Sequence, residues 1–326
     1  MDSSNQISRR CELCCQYLHS CFSGNGATDK RKLVEILTTR NLQELRFIRQ
    51  TYNALYNQDL LHILYNAQRN NPFARVVYLR LSESEARDAE IVRGLLIGGN
   101  VDLNSLIEMV CTRTSLELQS IKKAYHSLYN SDMEQDLSLS IKGGFKEILS
   151  AILKSSSHFG GKVEMSMAMC DAKTLYEAME SGKSLDQKTM ISLISQRGTE
   201  QLKAILVSYK QLYGHEFSKS LKRNKCGPFG KDLSLVIRCI QYPEKYFAKQ
   251  LRRTLQNGYS QEVLIRIVIT RSGIDIKEIN NAFAAKTGWS LESLILRVFN
   301  HTVSHNSNNT TAKATGFIAE FLVALL

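Results

Sequence analysis

The sequence predicts an all-α fold made of four similar five-helix units. Only three prolines occur in 326 residues, and proline is the residue that helix interiors exclude. Four segments align without gaps: LVEILTTRNLQELRFIRQTYNALY (33–56), LIEMVCTRTSLELQSIKKAYHSLY (106–129), MISLISQRGTEQLKAILVSYKQLY (190–213) and LIRIVITRSGIDIKEINNAFAAKT (264–287). Each is an apolar run ending in arginine, followed by apolar residues at i, i+3, i+4 and i+7, which is helical spacing.

The elements follow in order within a unit. A first helix ends in a glycine-bearing loop: CELCCQYLHSCFSGNG, DAEIVRGLLIGGN, AKTLYEAMESGKS and YFAKQLRRTLQNG. A helix-start residue comes next, Asp29, Asp102, Asp186 or Ser260, each eleven residues before its arginine. Such side chains accept an orphan N–H of the first turn. The second helix closes on Arg40, Arg113, Arg197 or Arg271, which suits the negative end of the helix dipole. The third helix is the amphipathic stretch after the arginine. Two more helices follow, and the breaks between them read NNPF (70–73), KGGF (142–145), KCGPF (225–229) and KATGF (313–317). The arginines are 73, 84 and 74 residues apart. That period is longer than tetratricopeptide or HEAT units.

Bulk composition is that of an ordinary globular chain, 43% hydrophobic and 22% charged. The net charge of +11 points to phosphate-bearing or acidic partners, or to solubility alone. The N-terminal MDSSNQISRR has no apolar core of a secretory signal. The final FIAEFLVALL is too short to span a bilayer. A cytoplasmic protein is expected, with reduced cysteines and unused sequons at Asn300, Asn308 and Asn309.

The repeat layout resembles the annexins from about residue 11 to the end. VCTRTS (110–115), QYPEKYF (241–247) and the short N-terminal tail are similar to plant annexins. The boundaries this implies are a tail at 1–10, repeats at 11–82, 83–154, 171–241 and 242–326, and a linker at 155–170. The resemblance implies four five-helix repeats packed in a curved disc. Loops on its convex face would bind calcium, which bridges to anionic phospholipid. The family loop reads roughly G-x-G-T-D/E, and a carboxylate about forty residues on completes the site. Calcium needs that charge, because affinity follows the number of charged oxygen ligands.

Here the loops depart from the pattern. They read GNGATD (24–29), GGNVD (98–102), GKSLD (182–186) and QNGYS (256–260). At the distant acid position stand Gln68, Ser140, Asn224 and, in the fourth repeat, Ala312 or Lys313; none is Asp or Glu. Calcium binding is therefore expected to be weak or absent. The first loop, through Gly24, Gly26 and Thr28, is the candidate for weak binding.

Basic residues surround these places. Lys222, Arg223 and Lys225 occupy the region where the third repeat would hold its acid. Lys30, Arg31 and Lys32 follow the first loop, Arg69 adjoins Gln68, and Lys142, Lys183 and Lys313 stand at comparable places. The expectation is that fixed positive side chains replace part of the calcium bridge to anionic membranes, the alternative being a merely solvated loop. A different class of function also fits the charge, a basic scaffold for RNA or acidic proteins.

Smaller signals are weighed beside these. Cys11, Cys14, Cys15 and Cys21 with His19 suggest zinc, but residues 11, 14, 15, 18, 21 and 22 form one apolar stripe, which favours a packed helix. Cys111 and Cys239 match two cysteines to which plant annexins owe a suggested redox role; burial as core thiols is the other reading. SGKS (181–184) lacks the first glycine of a phosphate-binding loop, since Glu177 stands there. Thr39 occupies the place of a histidine linked to peroxidase activity in relatives. Ile265-Arg266-Ile267 resembles an actin-binding tripeptide but lies in a helix expected to be buried. Trp289 is expected in the core. No nucleophile–base pair is evident, so no catalysis is expected.

Overall fold

The structure is a computed structural model that describes residues 2–22, 30–97, 101–156, 162–180, 184–223, 226–256, 260–305 and 309–326. Among the described residues there are twenty helices and no strands, five helices to each repeat. Repeat 1 holds α1 (Asp2–Phe22), α2 (Lys30–Thr39), α3 (Leu42–Tyr56), α4 (Leu60–Ala67) and α5 (Pro72–Leu81). Repeat 2 holds α6 (Ser84–Ile97), α7 (Leu103–Cys111), α8 (Ser115–Tyr129), α9 (Met133–Ser140) and α10 (Gly144–Ser155). Repeat 3 holds α11 (Met165–Glu180), α12 (Gln187–Gln196), α13 (Thr199–Tyr213), α14 (Phe217–Ser220) and α15 (Gly227–Gln241). Repeat 4 holds α16 (Pro243–Gln256), α17 (Gln261–Arg271), α18 (Ile276–Thr287), α19 (Leu291–His305) and α20 (Asn309–Val323).

Two expectations change in detail. Residues 2–10, expected as a tail, are the first turns of α1. The break expected at 313–317 is helix: α20 runs through Lys313, Thr315 and Gly316. An isolated glycine inside a helix costs only about 1 kcal/mol against alanine, so Gly316 does not by itself end one.

The third helix shows how sequence sets each repeat. Asn41 and Glu44 form a reciprocal capping box at the start of α3, as Thr114 and Glu117 do for α8. These bonds satisfy N–H groups that the first turn leaves without partners. The same helices end in left-handed backbone at Asn57, Asn130, Gly214 and Gly288, with φ of 51, 48, 72 and 74°. Asparagine and glycine tolerate that conformation, so each helix stops there. Between cap and stop, Tyr52, Tyr125, Tyr209 and Phe283 stand in one register and are fully buried. The Ile265-Arg266-Ile267 stretch is buried, as expected. Trp289 differs: it lies half-buried between α18 and α19, with the Arg297 guanidinium 4.7 Å from its ring centre.

Packing divides the chain into two units. One joins repeats 1 and 4 (Met1–Glu83 with Ala248–Leu326), and the other joins repeats 2 and 3 (Ser84–Phe247). In the second unit Thr199 Oγ1 donates to the Arg113 carbonyl at 3.0 Å, and Ser115 donates to Glu200 through N–H and hydroxyl at 3.2 and 3.0 Å. Repeats 2 and 3 are thus stitched where their third helices begin.

Candidate functional site

Most residues of the glycine-bearing turns lie outside those described. Gly24, Gly26 and Thr28 of the first turn and Lys183 of the third fall there, as does Lys225. The frame around the turns is described. Asp102 caps α7, accepting from Ser105 N–H at 3.2 Å and from the Ser105 hydroxyl. Asp186 caps α12, accepting from Thr189 N–H at 3.1 Å and its hydroxyl at 2.7 Å. The Thr189 hydroxyl, joined by its N–H, holds the Asp186 carboxyl below the usual carboxylate range. Ser260 caps α17 through Val263 N–H at 3.4 Å. The two carboxylates that end these turns are therefore engaged as helix caps, as their spacing from the arginines predicts.

The distant positions hold neutral side chains. Gln68 accepts from Arg75 Nη1 at 3.1 Å, and the Ser140 hydroxyl donates to the Asp136 carbonyl at 2.8 Å. Asn224 lies outside the described residues, and Ala312 and Lys313 fall within α20. Among the described residues, no group of three or more His, Cys, Asp or Glu is placed to hold a metal ion. At Gln68 and Ser140, the distant positions whose side chains are described, the groups present are neutral.

The basic residues fall into two kinds. Lys30, Arg31 and Lys32 open α2 and lean on their own repeat pair. The Lys30 ammonium is 5.6 Å from the Phe317 ring centre, Arg31 Nε is 3.8 Å from Glu320, and the Lys32 ammonium is 5.9 Å from the Tyr17 ring centre. Arg69, Lys142 and Lys222 are exposed in the second breaks of repeats 1, 2 and 3. Arg223 donates to Glu180 at 2.9 Å. Glu180 is the last residue of α11, so this pair holds the second break of repeat 3 against the start of its glycine turn.

The annexin family profile matches residues 14–69, 87–152, 170–234 and 246–299, once per repeat. The chain belongs to the annexin family. It is 31% identical to Annexin D7 of Arabidopsis thaliana over 86% of this chain and 89% of that one. It is 30% identical to human Annexin A13 over 85% and 88%. Among solved structures, annexin III superposes with a TM-score of 0.76 at 24% identity, covering 95% of this chain and 94% of that one. Calcium-bound annexin (Sm)1 superposes with a TM-score of 0.70 at 21% identity, over 95% and 90%.

Annexins as a family bind phospholipid membranes peripherally with calcium and are typically not enzymes. In this annexin no helix among the described residues is long and apolar enough to cross a membrane. Family membership does not favour the alternative of a scaffold for RNA or acidic proteins.

None of the eight cysteines of this annexin forms a disulfide. Cys111 ends α7 and Cys239 lies on α15; the two helices pack together and both thiols are buried. On α1, Cys11, Cys14 and Cys15 face the core with Leu18, and Cys15 donates to the Ile48 carbonyl at 3.3 Å. Burial pushes the Cys14 thiol up to about 11 and Cys15 to about 12. Buried side by side with Leu18, these cysteines pack as small hydrophobic side chains. Two further residues at the turns are not singled out by motif: Ile97 and Leu139, both exposed. Their signal is the contrast with Glu180 and Arg223 at the same places in repeat 3.

Proposed function

We propose that this annexin associates reversibly with anionic phospholipid surfaces chiefly through fixed positive side chains, with calcium binding weakened or lost. One observation carries the reading. Where the family pattern asks for a charged oxygen stand Gln68, Ser140 and Asn224; Gln68 and Ser140 are bonded to their own repeat, and Arg69, Lys142, Lys222 and Arg223 lie close to these three places in the sequence. Neutral oxygens hold calcium poorly, because its affinity rises with ligand charge. Each basic residue near an anionic leaflet contributes about 1 kcal/mol. Four such residues give about 4 kcal/mol, which is only millimolar binding, so turns from several repeats must engage together. Lys183, Lys225 and the cations that open α2 extend the set. Binding of this kind fades with salt, because the Debye length is about 8 Å at physiological ionic strength.

The test is sedimentation with phosphatidylserine vesicles in chelator. The reading expects retention at low salt that falls steeply as salt rises, and absence of retention at low salt overturns it. Calcium titration by calorimetry, with and without vesicles, measures what the first turn (Gly24, Gly26 and Thr28) retains. Cys111 and Cys239 fit core thiols better than a redox pair, since buried thiols are usually inert; turnover of an oxidant that Cys111→Ala abolishes would reverse that assignment.

A further inference from the structure

Repeats 2 and 3 lie in one unit, so their turns compare position by position. In repeat 3 the last residue of α11, Glu180, is bonded to Arg223 in the second break. The corresponding residues of repeat 2 are Ile97, which ends α6, and Leu139, in the last turn of α9. An ion pair is thus replaced by two large aliphatic side chains. They are not folded away: Ile97 is 56% and Leu139 74% exposed, the latter the highest value among the exposed large hydrophobics described.

The pair also sits on a fixed base. One turn earlier on each helix, Arg93 Nη1 is 2.6 Å from Asp136 Oδ2. The same carboxylate oxygen accepts from the Tyr125 and Ser131 hydroxyls, each at 2.7 Å. Lysines follow Leu139 in the chain before the next acid, Glu147. Residues 137–146, LSLSIKGGFK, contain no acid, and Lys142 and Lys146 are exposed. A single exposed leucine is ordinary. Two aliphatic side chains at neighbouring helix ends, with lysines following, form the amphipathic arrangement of a surface that lies in a bilayer interface. In that setting the long lysine side chains reach the phosphate level.

We propose that Ile97 and Leu139 form an apolar wedge that enters the boundary between headgroups and acyl chains of an anionic bilayer, with Lys142 at the headgroup phosphates. The inference rests on the membrane reading above and adds to it a component, confined to repeat 2, that salt does not screen. Burial of apolar side chains does not depend on ionic strength as charge attraction does.

The experiment uses the full chain and phosphatidylserine-containing vesicles in chelator, at low and high salt. Ile97→Ser/Leu139→Ser is compared with the unaltered protein, and thermal unfolding checks that the exposed substitutions leave the fold intact. The double variant is expected to bind at least about tenfold more weakly at both salt concentrations, the loss that removing two buried aliphatic groups produces. In a second arm, Leu139→Trp is expected to shift its emission to the blue on vesicles, beyond any change of Trp289 in the unaltered protein, and to be quenched by brominated lipid. Equal vesicle binding by the double variant, where the unaltered protein binds, overturns the wedge and leaves the charge reading standing. So does loss of a dimer in the double variant by light scattering with vesicle binding unchanged, which would make a second copy the occupant. Absence of binding by the unaltered protein at low salt overturns both.

Discussion

In the unit of repeats 2 and 3, the arginine after the second helix reaches back to the first. Arg113 Nε lies 2.7 Å from Asp88 on α6, and Arg197 Nε lies 2.7 Å from Asp171 on α11. In the unit of repeats 1 and 4 it reaches forward by one turn. Arg40 pairs with Glu44 at 3.0 Å, and Arg271 with Asp275 at 2.7 Å. The first helix makes the difference: where Asp88 and Asp171 stand, repeat 1 has Cys14 and repeat 4 has Phe247, both buried. A reach-back pair ties helices distant in sequence, whereas an i,i+4 pair mostly reinforces one local turn. The same arginine is therefore a tertiary lock in one unit and a local staple in the other.

The largest effect should come from breaking the most buried lock. Burial opposes the charge of Asp88, but Arg113 and Arg87 outweigh it and hold its carboxyl below the usual range. Arg113→Ala leaves that charge buried with Arg87 alone, whose Nε is 3.4 Å away; loss of a buried partner costs about 3–5 kcal/mol. Arg40→Ala, at a partly exposed pair, should cost no more than about 1 kcal/mol. Urea unfolding measures both, and equal losses would break the comparison.

The same pair sets an acid limb. Because the Asp88 pKa is lower in the folded chain, the unfolded chain binds more protons there as pH falls. Its stabilisation is complete above the unfolded value of about 3.9 and is lost as pH drops through the folded value. Unfolding followed from neutral pH into this acid range should show a shallower loss in Asp88→Asn than in the unaltered protein; parallel curves would mean that Asp88 is not the group being protonated.

A third substitution sharpens the contrast by transplanting it. Arg40 exerts its field on Cys14 but is not among the influences on Cys15. Cys14→Asp should therefore be tolerated better than Cys15→Asp by about 2 kcal/mol or more, since an unpaired buried charge is the costlier case. Thermal unfolding of the two variants decides this, and equal destabilisation would show that Arg40 cannot turn back as Arg113 does.

The seam between repeats 2 and 3 allows a smaller test. A Cβ on Gly198 would overlap Ser115 Oγ, so Gly198→Ala should cost about 1–3 kcal/mol as overpacking. Ser115→Ala in the same chain should return part of it in a double-mutant cycle read by urea unfolding; additive losses would argue against this contact. The smallest effect belongs to the exposed turn: Lys222→Gln should lower vesicle affinity by about 1 kcal/mol or less, measured by sedimentation at low salt and vanishing at high salt.

Much of the fold was legible because its signals are local. The caps at Asp102, Asp186 and Ser260 follow from spacing to the arginines, and the buried register of Tyr52, Tyr125, Tyr209 and Phe283 follows from helical periodicity. The break assigned to KATGF misread a glycine that a helix tolerates, since composition cannot tell Gly316 within α20 from Gly143, where φ is +71°. The site was legible only as chemistry. The missing carboxylates at Gln68 and Ser140 are visible in the sequence, but Arg75 as the partner of Gln68 and Glu180 as the partner of Arg223 are not, because each pair joins residues that separate helices bring together.

The sequence by itself determined four repeats, the start of most helices, the residue types at each turn and the excess of positive charge. Those properties depend on residues within one or two helical turns of each other. Tertiary structure decided that repeat 1 packs with repeat 4 and repeat 2 with repeat 3, which acid each arginine takes, and that Ile97 and Leu139 occupy the places of an ion pair. Those outcomes depend on which faces of distant helices are buried together, and burial sets both the strength of a charge pair and the exposure of an aliphatic side chain.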